Sequence, residues 1–263
     1  MSRLGRIGSE CRAGAKAFLR RRTAVFFTFF FPVIIVLIFG VLVGTQPTGG
    51  GLFAEPPGYY LPGYLAVVVL FTPLSRVGSE FARHREGSRF EKLATTPLRR
   101  WEWLLAHTLV NVFVIGAASL LIFGLVVALV DAQIAVGAHL LLLIPFVALG
   151  VALFCGLGAV LGRLADSQDG VIAASNSVAL PLLFLSETFV TPELLPAWFR
   201  PVTNLSPLTY FARGVRSLTY EQVSTPVVGA TDPTTLALTN LAVLAVLAAV
   251  FFVAGTYAVP RTD

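Results

Sequence analysis

Six long apolar runs dominate the sequence and restrict what the chain can fold into. A helix of about 20 mostly apolar residues, rising 1.5 Å per residue, crosses the hydrocarbon core of a bilayer. The runs cover residues 24–44, 60–78, 104–130, 139–162, 170–190 and 236–259. Pro32 predicts a kink in the first run, and Pro73 an interruption in the second. We therefore predict an all-α integral membrane protein with six transmembrane helices, in one domain over residues 1–263.

The composition agrees with a chain that is mostly surrounded by lipid. Hydrophobic residues make up 56% of the sequence and charged residues 13%, with a mean hydropathy of +0.81. Soluble domains carry about 25% charged residues, so this chain has roughly half the usual supply for a wet surface. The net charge of +5 does not indicate a nucleic-acid partner, because the charge is confined to a few segments between apolar runs.

The positions of lysine and arginine predict the orientation of the chain in the membrane. In a six-span arrangement, 16 of these residues fall on one side, and the other side has only Arg200, Arg213 and Arg216. Basic residues accumulate in cytoplasmic loops. We therefore expect both termini in the cytoplasm and a multi-pass protein of the cell (plasma) membrane.

The basic N-terminal stretch, residues 1–23, has apolar residues at helical spacing. They are Leu4, Ile7, Cys11, Ala15 and Phe18, with Arg and Lys between them. This pattern predicts an amphipathic interfacial helix lying on the cytoplasmic membrane face. A disordered basic tail is the alternative.

Residues 81–103, on the same side, form the most charged segment of the chain. The stretch EFARHREGSRFEKLATTPLRRWEW (80–103) holds ten charged side chains. Phe90, Leu93 and Ala94 make a compact apolar face, and Pro97 ends the predicted short helix. A charged helix with an exposed apolar face is suited to the groove of a protein partner. A purely solvated loop would not need Phe90 and Leu93.

The predicted outer loop, residues 191–235, is too rich in proline for one continuous helix, and we expect short helices there. Ser206 is a helix cap and Pro207 lies in the first turn of one of them. Its apolar stripe consists of Leu208, Phe211, Val215 and Leu218. We expect this helix to dip into the outer leaflet, and an ordinary surface loop is the alternative.

The sequence has none of the common catalytic or metal-binding patterns. It lacks G-x-x-x-x-G-K-[ST], G-x-S-x-G and H-E-x-x-H, and its three histidines have no ligand partners at metal-site spacing. We therefore expect no enzyme activity, no catalytic residue, no metal and no cofactor on this chain by itself.

Ionisable residues within the apolar runs are few. Arg76 and Glu80 lie one helical turn apart, and we expect them to pair. Glu187, near the outer end of the fifth run, has two open interpretations, a side chain that reaches the lipid headgroups or a functional role. No proton or ion relay is visible, which weighs against an ion-coupled pump or selective channel.

Two motifs, taken with the predicted topology, resemble the membrane subunits of type-2 ATP-binding cassette (ABC) exporters. The first is similar to E-x-x-x-G-x-x-E-x-L-x-x-T-P-L-x-R. Its second half is matched at the same spacing by Glu91, Leu93, Thr96, Pro97, Leu98 and Arg100, and Glu86 and Gly87 precede them at a different spacing. The second is similar to P-x-x-x-L-P-x-W followed by N-x-x-P-L-x-Y-x-x-x-x-x-R. Pro192 lies one residue closer to Leu195 than in that pattern, and the remaining matches, at the same spacing, are Leu195, Pro196, Trp198, Asn204, Pro207, Leu208, Tyr210 and Arg216.

The resemblance implies a permease subunit that has no ATPase activity of its own. Two such subunits, identical or homologous, would enclose the substrate path. Two ATP-binding cassette ATPase subunits, which bind ATP and Mg, would dock on the coupling helix. The residues implied for this coupling are Glu86, Arg89, Phe90, Glu91, Leu93, Thr96 and Pro97.

The second motif implies an exit gate, and the cargo stays open. The candidate gate residues are Glu187, Pro196, Trp198, Pro207, Tyr210 and Arg216. Glu187 departs from the family, which usually has a small residue there. The implied cargo is a drug, a lipid or a lipid-linked glycan. The alternative function is an ion-coupled secondary transporter, which predicts mid-membrane charges and repeated broken spans.

Overall fold

The computed structural model describes residues 3–43, 55–130, 132, 134, 137–220 and 232–260. Within these ranges the chain forms helices and no strand. Six helical segments are long and apolar enough to cross a membrane, namely Arg22–Val43, Pro57–Glu86, Arg100–Leu129, Ala138–Leu164, Gln168–Leu185 and Pro233–Ala258. The predicted all-α architecture with six spans is therefore confirmed. The predicted end of the first run at Gly44, residues 221–231 of the outer loop and the tail from residue 261 lie outside the described residues.

The described residues form nine α-helices. They are α1 (Arg3–Arg20), α2 (Arg22–Ile35), α3 (Leu61–Glu86), α4 (Arg89–Ala94), α5 (Arg100–Leu129), α6 (Leu143–Leu164), α7 (Gln168–Leu185), α8 (Pro207–Thr219) and α9 (Pro233–Ala258). A π-helical stretch, Val36–Val43, continues α2 beyond Ile35, and Pro32 lies inside α2. Short 3₁₀ helices cover Pro57–Tyr60, Ala138–Leu142, Pro192–Leu194 and Arg200–Leu205.

Span two is longer and more regular than predicted. Pro73 lies inside α3, which continues to Glu86, so the predicted interruption at Pro73 is wrong. A proline removes one backbone hydrogen bond, yet the helix continues on both sides of Pro73. In the most apolar stretch of this span 78% of the residues are buried, against 11% in span one.

The centre of the fold is a close contact between the backbones of α3 and α6. A Cβ atom added at Gly158 would lie 2.4 Å from the carbonyl oxygen of Leu74, and one added at Gly162 would lie 2.7 Å from that of Gly78. Glycines allow this approach because nothing projects between the two helices. α7 packs on α3, and α9 packs on α6.

The predicted amphipathic helix at the N-terminus is present as α1, and it docks on the first turns of α5. Arg6 donates two hydrogen bonds to the fully buried carboxylate of Glu102, at 3.1 and 2.6 Å. Phe18 is buried together with Val110 and Val114 of α5. The apolar side of α1 therefore contacts protein as well as the region where the membrane surface is expected.

The predicted outer helix is also present, as α8, with Ser206 at the N-cap and Pro207 as its first residue. The expected dip of its apolar stripe into the outer leaflet is wrong. The four stripe residues are at most 2% exposed, because α8 packs against α3, α6 and α9. Ser206 donates its hydroxyl to the carbonyl oxygen of Leu182 at 2.9 Å.

The glycine contacts predict a sharp difference between two alanine substitutions. In Gly156→Ala, the new Cβ would lie 2.3 Å from the carbonyl oxygen of Phe251 in α9. We expect a loss of about 1–3 kcal/mol of stability from overpacking, measured as a lower unfolding temperature in detergent micelles. The matched control is Gly116→Ala in α5, where no heavy atom outside the adjoining backbone of α5 lies within 4 Å of the new Cβ. Equal unfolding temperatures for the two variants would contradict this packing.

Candidate functional site

A short charged segment joins α3 to α5, and we call residues 86–97 the α4 segment. Ser88 has a left-handed backbone, with φ of 49° and ψ of 32°, and it turns the chain out of α3. At the other end, Thr95 and Thr96 donate their hydroxyls to carbonyl oxygens three residues earlier, at 2.8 and 2.6 Å. These side-chain bonds end α4 just before Pro97.

Phe90 anchors α4 to the rest of the protein. Its ring lies 5.0 Å from that of Phe81, 5.4 Å from His84 and 5.6 Å from Trp103, measured between centroids. Phe90 is only 7% exposed, so the prediction that it belongs to an exposed apolar face is wrong. α3 and α5 together form an aromatic pocket that takes the ring out of water. Leu93 is half-buried.

The outward face of the α4 segment carries charges of both signs. Arg89, Glu91 and Lys92 are exposed, as are Thr96 and Pro97. Beside this face lies a shallow depression lined by Phe90, Leu93, Leu98, Arg99, Arg100, Trp103, Val259 and Pro260. The side chain of Ala94, the third member of the predicted apolar face, lies outside what the structure describes. A mixed charged rim around a small apolar depression is a surface that a protein partner can recognise.

The end of α3 is also tied to the loop between α6 and α7. Glu86 accepts hydrogen bonds from the backbone nitrogen and the side-chain amide of Gln168, at 3.1 and 2.9 Å. Arg85 donates to the carbonyl oxygens of Arg163 and Ala165. A displacement of the α4 segment would therefore act on the first residue of α7 as well as on α3 and α5.

Arg76 and Glu80 do not form the predicted pair with each other. Glu80 lies within ion-pair distance of Arg83 (3.0 Å) and Arg21 (3.5 Å). The guanidinium of Arg76 instead lies over the ring of Phe18, 4.2 Å from its centroid. Arg21 and Phe18 come from the N-terminal part of the chain. The spacing of residues along α3 could not predict that they contact Glu80 and Arg76.

A second polar site surrounds Glu187, just beyond the end of α7. Its side chain is 4% exposed, so the interpretation that it reaches the lipid headgroups is wrong. The carboxylate accepts a forked pair of hydrogen bonds from Arg213, with Nε at 2.8 Å, and a third from Thr203 at 3.3 Å. The hydrogen bond to Glu187 raises the pKa of Arg213 above its ordinary value.

Arg216 ties this site to the start of α3. It is 6% exposed, and it donates to the carbonyl oxygens of Glu187 and Tyr59. Its guanidinium also lies 3.8 Å from the centre of the Tyr59 ring, in a cation–π contact. Burial lowers the pKa of Arg216. We call Glu187, Thr203, Arg213 and Arg216 the Glu187 cluster, which connects α7, α8 and the first turn of span two.

The other candidate gate residues are divided between this cluster and the surface. Pro207 is buried at the start of α8, and Tyr210 donates its hydroxyl to the carbonyl oxygen of Asn204 at 3.0 Å. The Asn204 side chain in turn accepts from Arg213 at 2.8 Å. Pro196 and Trp198 are exposed, and within the described residues neither has a hydrogen bond or ion pair to the cluster.

Two separate sites thus lie at the two ends of α3. With 26 residues, this helix is about 39 Å long, which is enough to span the apolar core of a bilayer. The α4 segment follows its last residue, and the Glu187 cluster contacts Tyr59, just before its first. The two sites are therefore separated by the length of one membrane-spanning helix.

Comparison with known proteins decides the family. The family model described as ABC-2 type transporter matches residues 10–220, a region that includes both sites. The chain belongs to the ABC-2 type transporter family. Together with the six apolar helices, this membership indicates a multi-pass protein of the cell membrane.

A curated relative agrees with this family. The chain is 28% identical over 197 residues to the daunorubicin resistance ABC transporter permease protein DrrB1 of Streptomyces coeruleorubidus. The match covers 71% of this chain and 65% of that protein, so the chain spans just under two thirds of the relative it matches. Family and relative together indicate an ABC transporter permease.

Sequence reasoning missed several residues that the structure brings into these sites. Arg213 was noted only for its charge, although it lies three residues from Arg216 and so on a neighbouring part of the same helix face. Thr203 and Gln168 gave no signal, because each reaches its partner only through the folding of distant segments.

The geometry of the Glu187 cluster predicts that substitution of Arg213 lowers the stability of the protein more than substitution of Glu187. Arg213→Met would leave the buried carboxylate of Glu187 without its cation, and we expect a loss of about 3 kcal/mol of stability. Glu187→Gln should cost less, because the amide still accepts hydrogen bonds and the Arg213 side chain, 29% exposed, can be hydrated. Thermal unfolding in detergent measures both variants.

The double variant Glu187→Gln/Arg213→Met completes this test and should recover part of the stability lost in Arg213→Met. Arg200→Met serves as the control, since the Arg200 side chain is exposed and donates to the carbonyl oxygen of Leu195, outside the cluster. Equal losses for Arg213→Met and Arg200→Met would contradict a buried ion pair.

Proposed function

We propose that this chain is the permease subunit of an ABC exporter, forming the substrate path as a dimer with a second copy or a homologue. In this proposal two separate ATPase subunits, which bind ATP and Mg, drive the permease from the cytoplasmic side, where both termini lie. The observation that carries the proposal is the α4 segment, a charged helix anchored between two spans of a chain that belongs to the ABC-2 family.

The geometry of α4 supports its role as the docking site for an ATPase subunit. A helix of six residues has no stability of its own in water, so it depends on what it packs against. Phe90 fixes α4 in the pocket between α3 and α5, and leaves Arg89, Glu91 and Lys92 exposed for a partner. A force applied to this face would therefore move the ends of two spans.

A second route would carry that force to span five. Glu86 holds the first residue of α7 through Gln168, and the far end of α7 leads directly to Glu187. The Glu187 cluster then connects α7 with α8 and with the start of span two. We infer that ATP-driven motion at the α4 segment reaches the exit through α3 and α7, and that rearrangement of the Glu187 cluster accompanies opening.

The surface of span one supports the proposed dimer. Phe26, Phe27, Phe30 and Phe31 of α2 are 43–58% exposed, so this helix contacts lipid, a second subunit, or both. Packing of this helix against a second subunit would add the van der Waals contacts that hold transmembrane helices together.

The proposed cargo class follows the name of the relative. DrrB1 is named for daunorubicin resistance, which favours a drug for the present chain over a lipid or a lipid-linked glycan. Membership of the ABC-2 family also favours an ATP-driven exporter over the alternative of an ion-coupled secondary transporter, and no observation in the described part of the chain favours that alternative.

Reversing the exposed charges of α4 should weaken the binding of the ATPase subunit without unfolding the permease. For Glu91→Lys/Lys92→Glu we expect at least a tenfold loss of affinity for the ATPase subunit, since reversed charges at a protein interface meet like charges on the partner. Co-purification and ATPase activity of the reconstituted complex measure this loss.

The control for this experiment is Lys16→Glu, a charge reversal at an exposed position of α1 outside the α4 segment. It should leave the affinity unchanged. If the α4 variant binds the ATPase subunit as tightly as the wild type and has the same unfolding temperature, the α4 segment is not the docking site.

A further inference from the structure

A small cavity lies where α1 ends and α2 begins, against the end of α3 that carries the α4 segment. Phe18, Arg21, Arg76, Glu80 and His107 line it, together with small residues of α1 and α2. It is separate from the α4 segment and from the Glu187 cluster. Neither site requires the two arginines that point toward it.

The charges around this cavity are not balanced. Among the residues that the structure describes, Arg76 makes one side-chain hydrogen bond, from Nη1 to Asn111 at 3.3 Å, and no ion pair. Glu80, the carboxylate that lines the cavity, is already shared between Arg21 and Arg83. A guanidinium has five N–H donors, so most of those on Arg76 are available to a ligand.

A guanidinium near the end of a membrane span normally finds an anion. Basic pockets between transmembrane helices on the cytoplasmic side bind the headgroups of anionic lipids. The forked donors of arginine match the geometry of phosphate oxygens. We propose that this cavity binds the phosphodiester headgroup of an inner-leaflet phospholipid, held by Arg76 and Arg21.

The surface next to the cavity is suited to a lipid more than to a free phosphate ion. Ala24 of α2 lines the cavity, and Phe27 and Phe31 follow it at three and seven residues, on the same helix face. Both phenylalanines are exposed, at 58% and 50%. An acyl chain attached to a headgroup in the cavity can run along this apolar face into the membrane.

The site has a structural consequence for the fold. Arg21 lies between α1 and α2, Arg76 belongs to α3, and His107 to α5. A phosphate bound by both arginines would hold the junction of the amphipathic helix and span one against the bundle. This inference does not depend on the proposed export function, because it concerns the permease chain and its lipid alone.

The test uses the full-length chain, purified and delipidated in a mild detergent, with thermal unfolding as the readout. The probes are dioleoyl phosphatidylglycerol, dioleoylglycerol, which lacks the phosphate, and sodium phosphate. We expect phosphatidylglycerol alone to raise the unfolding temperature of the wild-type chain. Arg76→Met should abolish this shift, and Arg12→Gln, which removes an exposed charge on α1, should retain it.

Several results would overturn the proposal. They are the absence of any shift in the wild type, an equal shift in Arg76→Met, and an equal shift with dioleoylglycerol. A full shift with sodium phosphate would assign the cavity to the free ion and reject the lipid. If Arg76→Met does not fold, Arg21→Gln replaces it, since the Arg21 side chain is 44% exposed, and an undiminished shift in that variant rejects the proposal.

Discussion

The contact between the backbones of α3 and α6 is the constraint on which the rest of the structure depends. Gly78, Gly158 and Gly162 remove the side chains that would otherwise separate the two helices. Close approach gives α3 the deepest burial of the six spans, and van der Waals packing of this kind is what holds helices together where no water is present to drive association.

A continuous, buried α3 is well suited to transmit force between the two sides of a membrane. One end holds α4 through Phe90 and α7 through Glu86. The other end meets Arg216, which is bonded to the backbone of Glu187. The two polar sites are thus connected through packed helices and through hydrogen bonds with identified partners. A rigid element between two sites is the physical requirement for the proposed coupling.

The sequence was sufficient to predict the elements and insufficient to predict their partners. Spans and amphipathic helices follow from periodicity, which is local, and α8 begins at Pro207, directly after the predicted cap residue Ser206. A helix of six residues has too little periodicity to show which face is buried. The prediction that Phe90 lies on the exposed face was therefore wrong. Glu187 and Arg213 are 26 residues apart, and only the tertiary fold shows that they pair.

The most direct test of the coupling account is site-specific photo-crosslinking from the α4 segment. A benzoylphenylalanine introduced at Lys92 would be compared with one at Lys16, in cells that also express the candidate ATP-binding cassette ATPase subunit. The account predicts a covalent adduct with the ATPase subunit from position 92 and none from position 16. An adduct from position 16 alone, or from neither position when the complex is otherwise intact, would contradict it.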